Sequence, residues 1–189
     1  MVNRSMRFSF EHMSFKDGRN RIQFVHLKKP VKYGLAGMAQ SKLFDQNLPF
    51  VVRDDLPAEG EMFACLSQGI NGEAPRIEMT REIFYGFKRG SAMARFTILH
   101  ELGHYVHQDI QRQASMAEYD DRRVATVTAG NVIEEELRAD AFAAGFLGKE
   151  KSKEALAELR NCIQNVSDAD DHNKQLALQE LDLRIAALD

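Results

Sequence analysis

Cysteine is scarce in this chain, with two residues, Cys65 and Cys162, among 189. Two distant cysteines exclude a disulfide framework, so a reducing compartment is the expectation. Charge of one sign is equally scarce: Lys plus Arg is 25, Asp plus Glu is 28, and the net charge is −3. Such a balance gives no global pull toward nucleic acid or anionic lipid, and the one early basic cluster, Lys28, Lys29 and Lys32, is too small to track phosphates. No apolar run approaches the ~20 residues of a membrane span, and the N-terminus lacks the apolar region of a signal peptide. Repeats and low-complexity tracts are absent too. What the chain does have is 44% hydrophobic and 28% charged residues, enough to bury a core at a length that suits one domain, or one plus an appendage. The expectation is a soluble, cytoplasmic globular protein without direct nucleic-acid or membrane contact.

The first 20 residues show no clear period and are read as an extra strand or a loose arm. Arg21–Leu27 alternates as a half-buried strand does, and Lys29-Pro30 ends it. Gly34–Phe44 carries small and apolar residues at helical spacing and reads as a short helix. Three strand-like pieces follow, Phe50–Val52, Met62–Leu66 and Arg76–Met79, separated by Asp54-Asp55, Glu59-Gly60 and Asn71-Gly72. After Gly90 the pattern turns helical. Ser91 is a suitable N-cap, and Phe96, Leu99, Leu102 and Val106 form a stripe running to about Gln111. Residues 112–130 read as a polar connection, and a second helix spans about Val132 to Leu147, stopped by Gly148. Lys151–Val166 and Ala169–Leu188 read as two amphipathic helices, a hairpin that packs on its own domain or else seats a partner or second copy. Strands first and helices afterwards predict an α+β fold. The expected division is a domain over 1–150 and a helical extension over 151–189.

One motif carries chemistry. His100-Glu101-Leu102-Gly103-His104 places two histidines four apart on a predicted helix, one turn above each other, where both imidazoles can reach one ion at ~2.0–2.1 Å. Glu101 sits about 100° around the helix, beside the ion without ligating it. There it can deprotonate a water made acidic by the ion, whose pKa falls from 15.7 to roughly 7. Two surface histidines would produce the same pattern without chemistry. The apolar neighbours Phe96, Ile98, Leu99 and Leu102 argue instead for an interior or a cleft. Gly103 costs a helix interior about 1 kcal/mol, which a close backbone approach to a strand or substrate would explain.

A catalytic ion needs a third protein ligand and an open fourth position. The metzincin pattern would place a histidine at position 110, which is Ile110. His107 shares the helix, but three ligands from one straight helix cannot surround an ion. Glu136 and Asp140, one turn apart in the next helix, serve better. Glu136 can coordinate, and Asp140 can accept the free N–H of a ligating histidine. Glu134, Glu135 and Glu136 would also suit the positive end of a helix dipole, whereas Asp140 sits in an apolar Ala-Phe-Ala-Ala setting.

Thr97-Ile98-Leu99-His100-Glu101-Leu102-Gly103-His104-Tyr105, led by Arg95-Phe96, and then Glu136-Leu137-Arg138-Ala139-Asp140-Ala141-Phe142-Ala143-Ala144 together resemble the ImmA/IrrE family of metallopeptidases. The resemblance covers about residues 35–148. It implies a zincin-like fold with a small mixed or antiparallel sheet, and one Zn²⁺ held by His100, His104 and Glu136. It further implies Glu101 as the base, Asp140 supporting a ligand, and cleavage of intracellular regulatory proteins such as helix-turn-helix repressors. Two departures stand out: Gly148-Lys149 replaces the family's usual Met-Pro, and the residues before Gly34 are too few and too strand-like for a fused helix-turn-helix. Peptide deformylase is a rival, since Cys65-Leu66-Ser67 and Gly34-Leu35-Ala36-Gly37-Met38-Ala39-Gln40 echo its segments, although the second is misphased and Cys65 suits a buried strand equally well. A metal-binding regulatory protein without turnover is the alternative of a different class. For the peptidase, the expected substrate path is an exposed edge strand at Arg76–Met79, with Tyr105, His107 and Tyr119 as unranked candidates for stabilising the oxyanion.

Overall fold

The computed structural model describes residues 9–29, 34–53, 64–67, 74–107, 124–165 and 171–189. Among the described residues, six strands precede five helices: β1 (Phe10–Asp17), β2 (Asn20–Leu27), β3 (Gly34–Ser41), β4 (Leu48–Val52), β5 (Ala64–Ser67), β6 (Arg76–Met79), α1 (Arg81–Arg89), α2 (Ala92–His107), α3 (Val124–Leu147), α4 (Lys149–Gln164) and α5 (Asp171–Ala187). The fold is α+β, as the order of patterns predicts. All six strands form one sheet in the order β1-β2-β3-β4-β6-β5. Neighbours pair antiparallel except β4 and β6, which run parallel through Phe50↔Ile77 and Val52↔Met79.

The strand-like residues of the N-terminal segment form β1, which zips against β2 from Phe10↔Leu27 to Asp17↔Asn20. The helix expected at Gly34–Phe44 is corrected to strand β3. Its small residues lie flat against β2: a Cβ on Gly37 would stand 2.6 Å from the Val25 carbonyl oxygen, so that strand crossing requires glycine. The edge assignment of Arg76–Met79 is also corrected. β6 lies between β4 and β5, and Ala64–Ser67 is the terminal strand on that side. Helix α1 follows β6 directly, where the sequence pattern predicts no element. Its apolar residues Ile83, Phe84 and Phe87 recur at helical spacing and are buried.

The core lies between the sheet and the helices. Phe15, Phe24, Phe50 and Phe87 interlock at its centre, with ring centroids 5.5 Å (Phe15–Phe24), 5.4 Å (Phe24–Phe50) and 4.9 Å (Phe24–Phe87) apart, spacings at which aromatic pairs gain beyond area burial. Helix α2 starts where Ser91 Oγ accepts the Ala94 N–H at 3.3 Å, the capping geometry its sequence predicts, and is described as far as His107. Helix α3 begins at Val124, earlier than the periodicity near Val132 suggests, and ends before Gly148 as expected. Both tail helices form, over Lys149–Gln164 and Asp171–Ala187, and Ala155, Leu156, Leu181 and Leu188 join the same buried cluster as the sheet residues. Arg160 on α4 grips Asp182 on α5 at 2.6 Å. Among the described residues no helix is long and apolar enough to cross a membrane.

Candidate metal centre

Helices α2 and α3 touch backbone to backbone at Gly103. A Cβ there would stand 2.8 Å from the Ala139 Cα, closer than packed atoms allow, so only glycine lets the two helices meet at this depth. The close approach inferred for Gly103 is therefore to a neighbouring helix, and it puts the His-Glu-x-x-His turn directly opposite the Glu136–Asp140 turn. Around it Phe96, Ile98, Leu99 and Leu102 are buried. The His100 ring stacks on Phe96 with centroids 6.0 Å apart.

Three side chains converge there. His100 Nε2 lies 3.0 Å from His104 Nε2 and 3.1 Å from Glu136 Oε2, and His104 Nε2 lies 3.3 Å from Glu136 Oε1. Donors held ~2.0–2.1 Å from a shared tetrahedral ion are separated by about 3.3 Å, so the spacing suits one small cation. His100, His104 and Glu136 thus form a group that could bind a metal ion. Asp140 completes the support. Its Oδ1 lies 2.8 Å from His100 Nδ1, and since an ionised carboxylate only accepts, Nδ1 carries the hydrogen and Nε2 faces Glu136 with a lone pair. Lone pair then opposes carboxylate, an arrangement that a proton or a cation relieves.

The electrostatics agree. Burial disfavours charge on His100, but Asp140 and Glu136 outweigh it and carry the imidazole up to about 9. His104 is raised likewise, burial being overcome by Glu136. Burial works against the ionised form of Glu136, yet the two histidines and Arg184 hold it well below the usual carboxylate range. Asp140 stays ionised for the same reason, with His100 and Arg184 as its partners. Protons and a cation would therefore compete for the same place.

Glu101 lies beside this group and outside it. Its Oε2 accepts the Leu66 backbone N–H at 2.8 Å, which ties α2 to the terminal strand β5, and burial raises its carboxyl above the ordinary value. Cys65, the competing ligand, is not in the group; its thiol is pushed up to about 11 by burial and by the nearby Glu101 and Glu78 carboxylates. Of the oxyanion candidates, Tyr105 donates its hydroxyl to Asp45 and packs edge-on against Phe44. Burial and Asp45 push that phenol up to about 12. The His107 ring meets Phe142 at 6.3 Å. Tyr119 lies outside the described residues.

Sequence reasoning missed Arg184. Its guanidinium, carried by α5 and buried, forks onto Asp140 with Nε–Oδ2 at 2.7 Å and Nη2–Oδ1 at 2.8 Å, and reaches Glu136 Oε2 at 3.0 Å. A signal existed, because Arg184 falls three residues after Leu181 and four before Leu188, on the buried stripe where a charge needs a partner. Comparison with known proteins places the chain in no group: no family model, no curated protein and no solved structure matches it.

Proposed function

We propose that the protein is a zinc-dependent endopeptidase of the zincin type, cleaving a peptide bond in an intracellular regulatory protein. One observation carries the reading: two imidazoles and a carboxylate converge at single-ion spacing while a further, half-buried carboxylate, Glu101, sits next to them and outside the ligand group. Zinc suits a two-imidazole, one-carboxylate set with a position left open. When bound, the ion supplies Lewis acidity toward a carbonyl and lowers the pKa of water.

The chain's own residues do the rest. Glu101 orients a water and takes its proton, then passes that proton to the leaving amine. Burial, which raises its carboxyl, brings it closer to the basicity such a transfer needs. Asp140 keeps the His100 Nε2 lone pair aimed into the group. A substrate backbone would lie along the outer edge of β5, the terminal strand among the described residues, by strand addition, since β6 is flanked on both sides. The Leu66 N–H is turned toward Glu101 and away from β6, so the base stands between the ligand group and the strand a peptide would use.

Support for a regulatory-protein substrate of the helix-turn-helix repressor kind, and for a cytoplasmic setting, comes from the resemblance to ImmA/IrrE peptidases. One observation favours the second reading, a metal-binding regulatory protein without turnover: the Leu66 contact gives Glu101 a structural task. The deformylase reading lacks its thiolate ligand, because Glu136 and not Cys65 meets the histidines. The test is zinc-loaded protein incubated with a proteome-derived peptide library, with new amino termini counted. The wild type is expected to create them and Glu101→Gln to create none while retaining zinc. Equal cleavage by both would refute the peptidase mechanism.

A further inference from the structure

We propose that Arg184 is a positioning residue of the metal centre, holding Asp140 turned toward His100 and engaging one oxygen of Glu136 so that an ion is taken by the other. The inference rests on the metal reading above and assigns a role to the C-terminal helix, which neither motif includes. The geometry is a double clamp. Nε and Nη2 of Arg184 grip both oxygens of Asp140, and Nη1 lies 3.0 Å from Glu136 Oε2 and 3.3 Å from Glu180 Oε1. Nη2 also stands 3.5 Å from His100 Nδ1, so the guanidinium and the imidazole converge on the same Asp140 oxygen.

Each contact has a consequence for an ion. Asp140 is almost wholly buried, at 1% exposure, and one imidazole N–H would leave its second oxygen without a donor. The bidentate fork satisfies that oxygen and stops the carboxylate from rotating, which fixes the His100 tautomer. On Glu136, the contact to Oε2 leaves Oε1, the oxygen nearer His104, as the free donor. One-oxygen coordination keeps a position open for water or substrate. A lysine cannot do both jobs, because it offers a point charge without the planar fork. Arg184 lies 44 residues after Asp140, and α5 thereby becomes part of the site.

The experiment compares wild type, Arg184→Gln and Arg184→Lys by zinc affinity in chelator competition, by the visible absorption of the Co²⁺-loaded protein, and by thermal melting of the metal-free protein. Zinc affinity is expected to fall about 10–100-fold in Arg184→Gln and by less in Arg184→Lys. The Co²⁺ bands should shift and weaken as Glu136 becomes free to coordinate through both oxygens. A role confined to holding α5 in place would lower metal-free melting and leave the Co²⁺ spectrum of the folded protein unchanged, and that result overturns the proposal. If Arg184→Gln does not fold, Arg184→Lys carries the same comparison. Wild-type protein that binds no stoichiometric zinc removes the metal reading and this inference together. Wild type that binds, with variants of equal affinity and identical spectrum, removes this inference alone.

Discussion

The two walls of the candidate metal centre are held in different ways. His100 and His104 stand on α2, whose placement comes from apolar packing: Phe96 beneath the His100 ring, and Ile98, Leu99 and Leu102 buried toward the sheet. Glu136 and Asp140 stand on α3, whose contact face is made of small residues, Ala139 and Ala143, and whose carboxylates are held by the Arg184 guanidinium from α5. Packing fixes where a helix lies but leaves a short side chain free to rotate. Charge-assisted bonds fix the orientation of the carboxylate itself. A site that must present a lone pair and a carboxylate oxygen to one point uses both.

The sharpest break of this comparison is at Glu101, which belongs to the packed wall and lies outside the candidate ligand group. Under the proposed peptidase function, Glu101→Gln should lower turnover by about 10²- to 10⁴-fold and leave zinc content at the wild-type level, as measured by cleavage assay and atomic emission side by side. Next comes the packing itself. Leu99→Ala removes a fully buried side chain and should cost about 2–5 kcal/mol in urea unfolding, with the metal-free protein affected as strongly as the loaded one. Gly103→Ala drives a methyl into the Ala139 backbone and should cost about 1–3 kcal/mol, but here zinc affinity should fall as well, since the two walls are pushed apart. The smallest effect is expected at Cys65→Ala, which should leave zinc content unchanged. Loss of zinc in that variant would mean that β5 supplies a ligand.

The packed wall was legible in the sequence and the clamped wall only in part. His100, Glu101 and His104 declare themselves because a one-turn spacing fixes their relation whatever the fold, and Glu136 with Asp140 does the same on α3. Arg184 could not be placed, because its partner lies 44 residues away and only the docking of α5 brings them together. One local pattern misled and another went unassigned, for a shared reason. Gly34, Ala36, Gly37 and Ala39 fit helical spacing as well as strand alternation, and the contact that decides for a strand, Gly37 against Val25, is with a different strand. In α1, Ile83, Phe84, Tyr85 and Phe87 favour strands by type, and the burial of Ile83, Phe84 and Phe87 at helical spacing chose the helix. The edge position of β5 over β6 was hidden too, since it depends on the parallel pairing of β4 with β6, which no local signal encodes.

The most direct test of the central claim is anomalous scattering at the zinc absorption edge from crystals grown with zinc. One peak per chain is expected about 2.0–2.1 Å from His100 Nε2, His104 Nε2 and one oxygen of Glu136, with Glu101 outside bonding distance. A peak ligated through Cys65, or no peak among these three side chains, would contradict it.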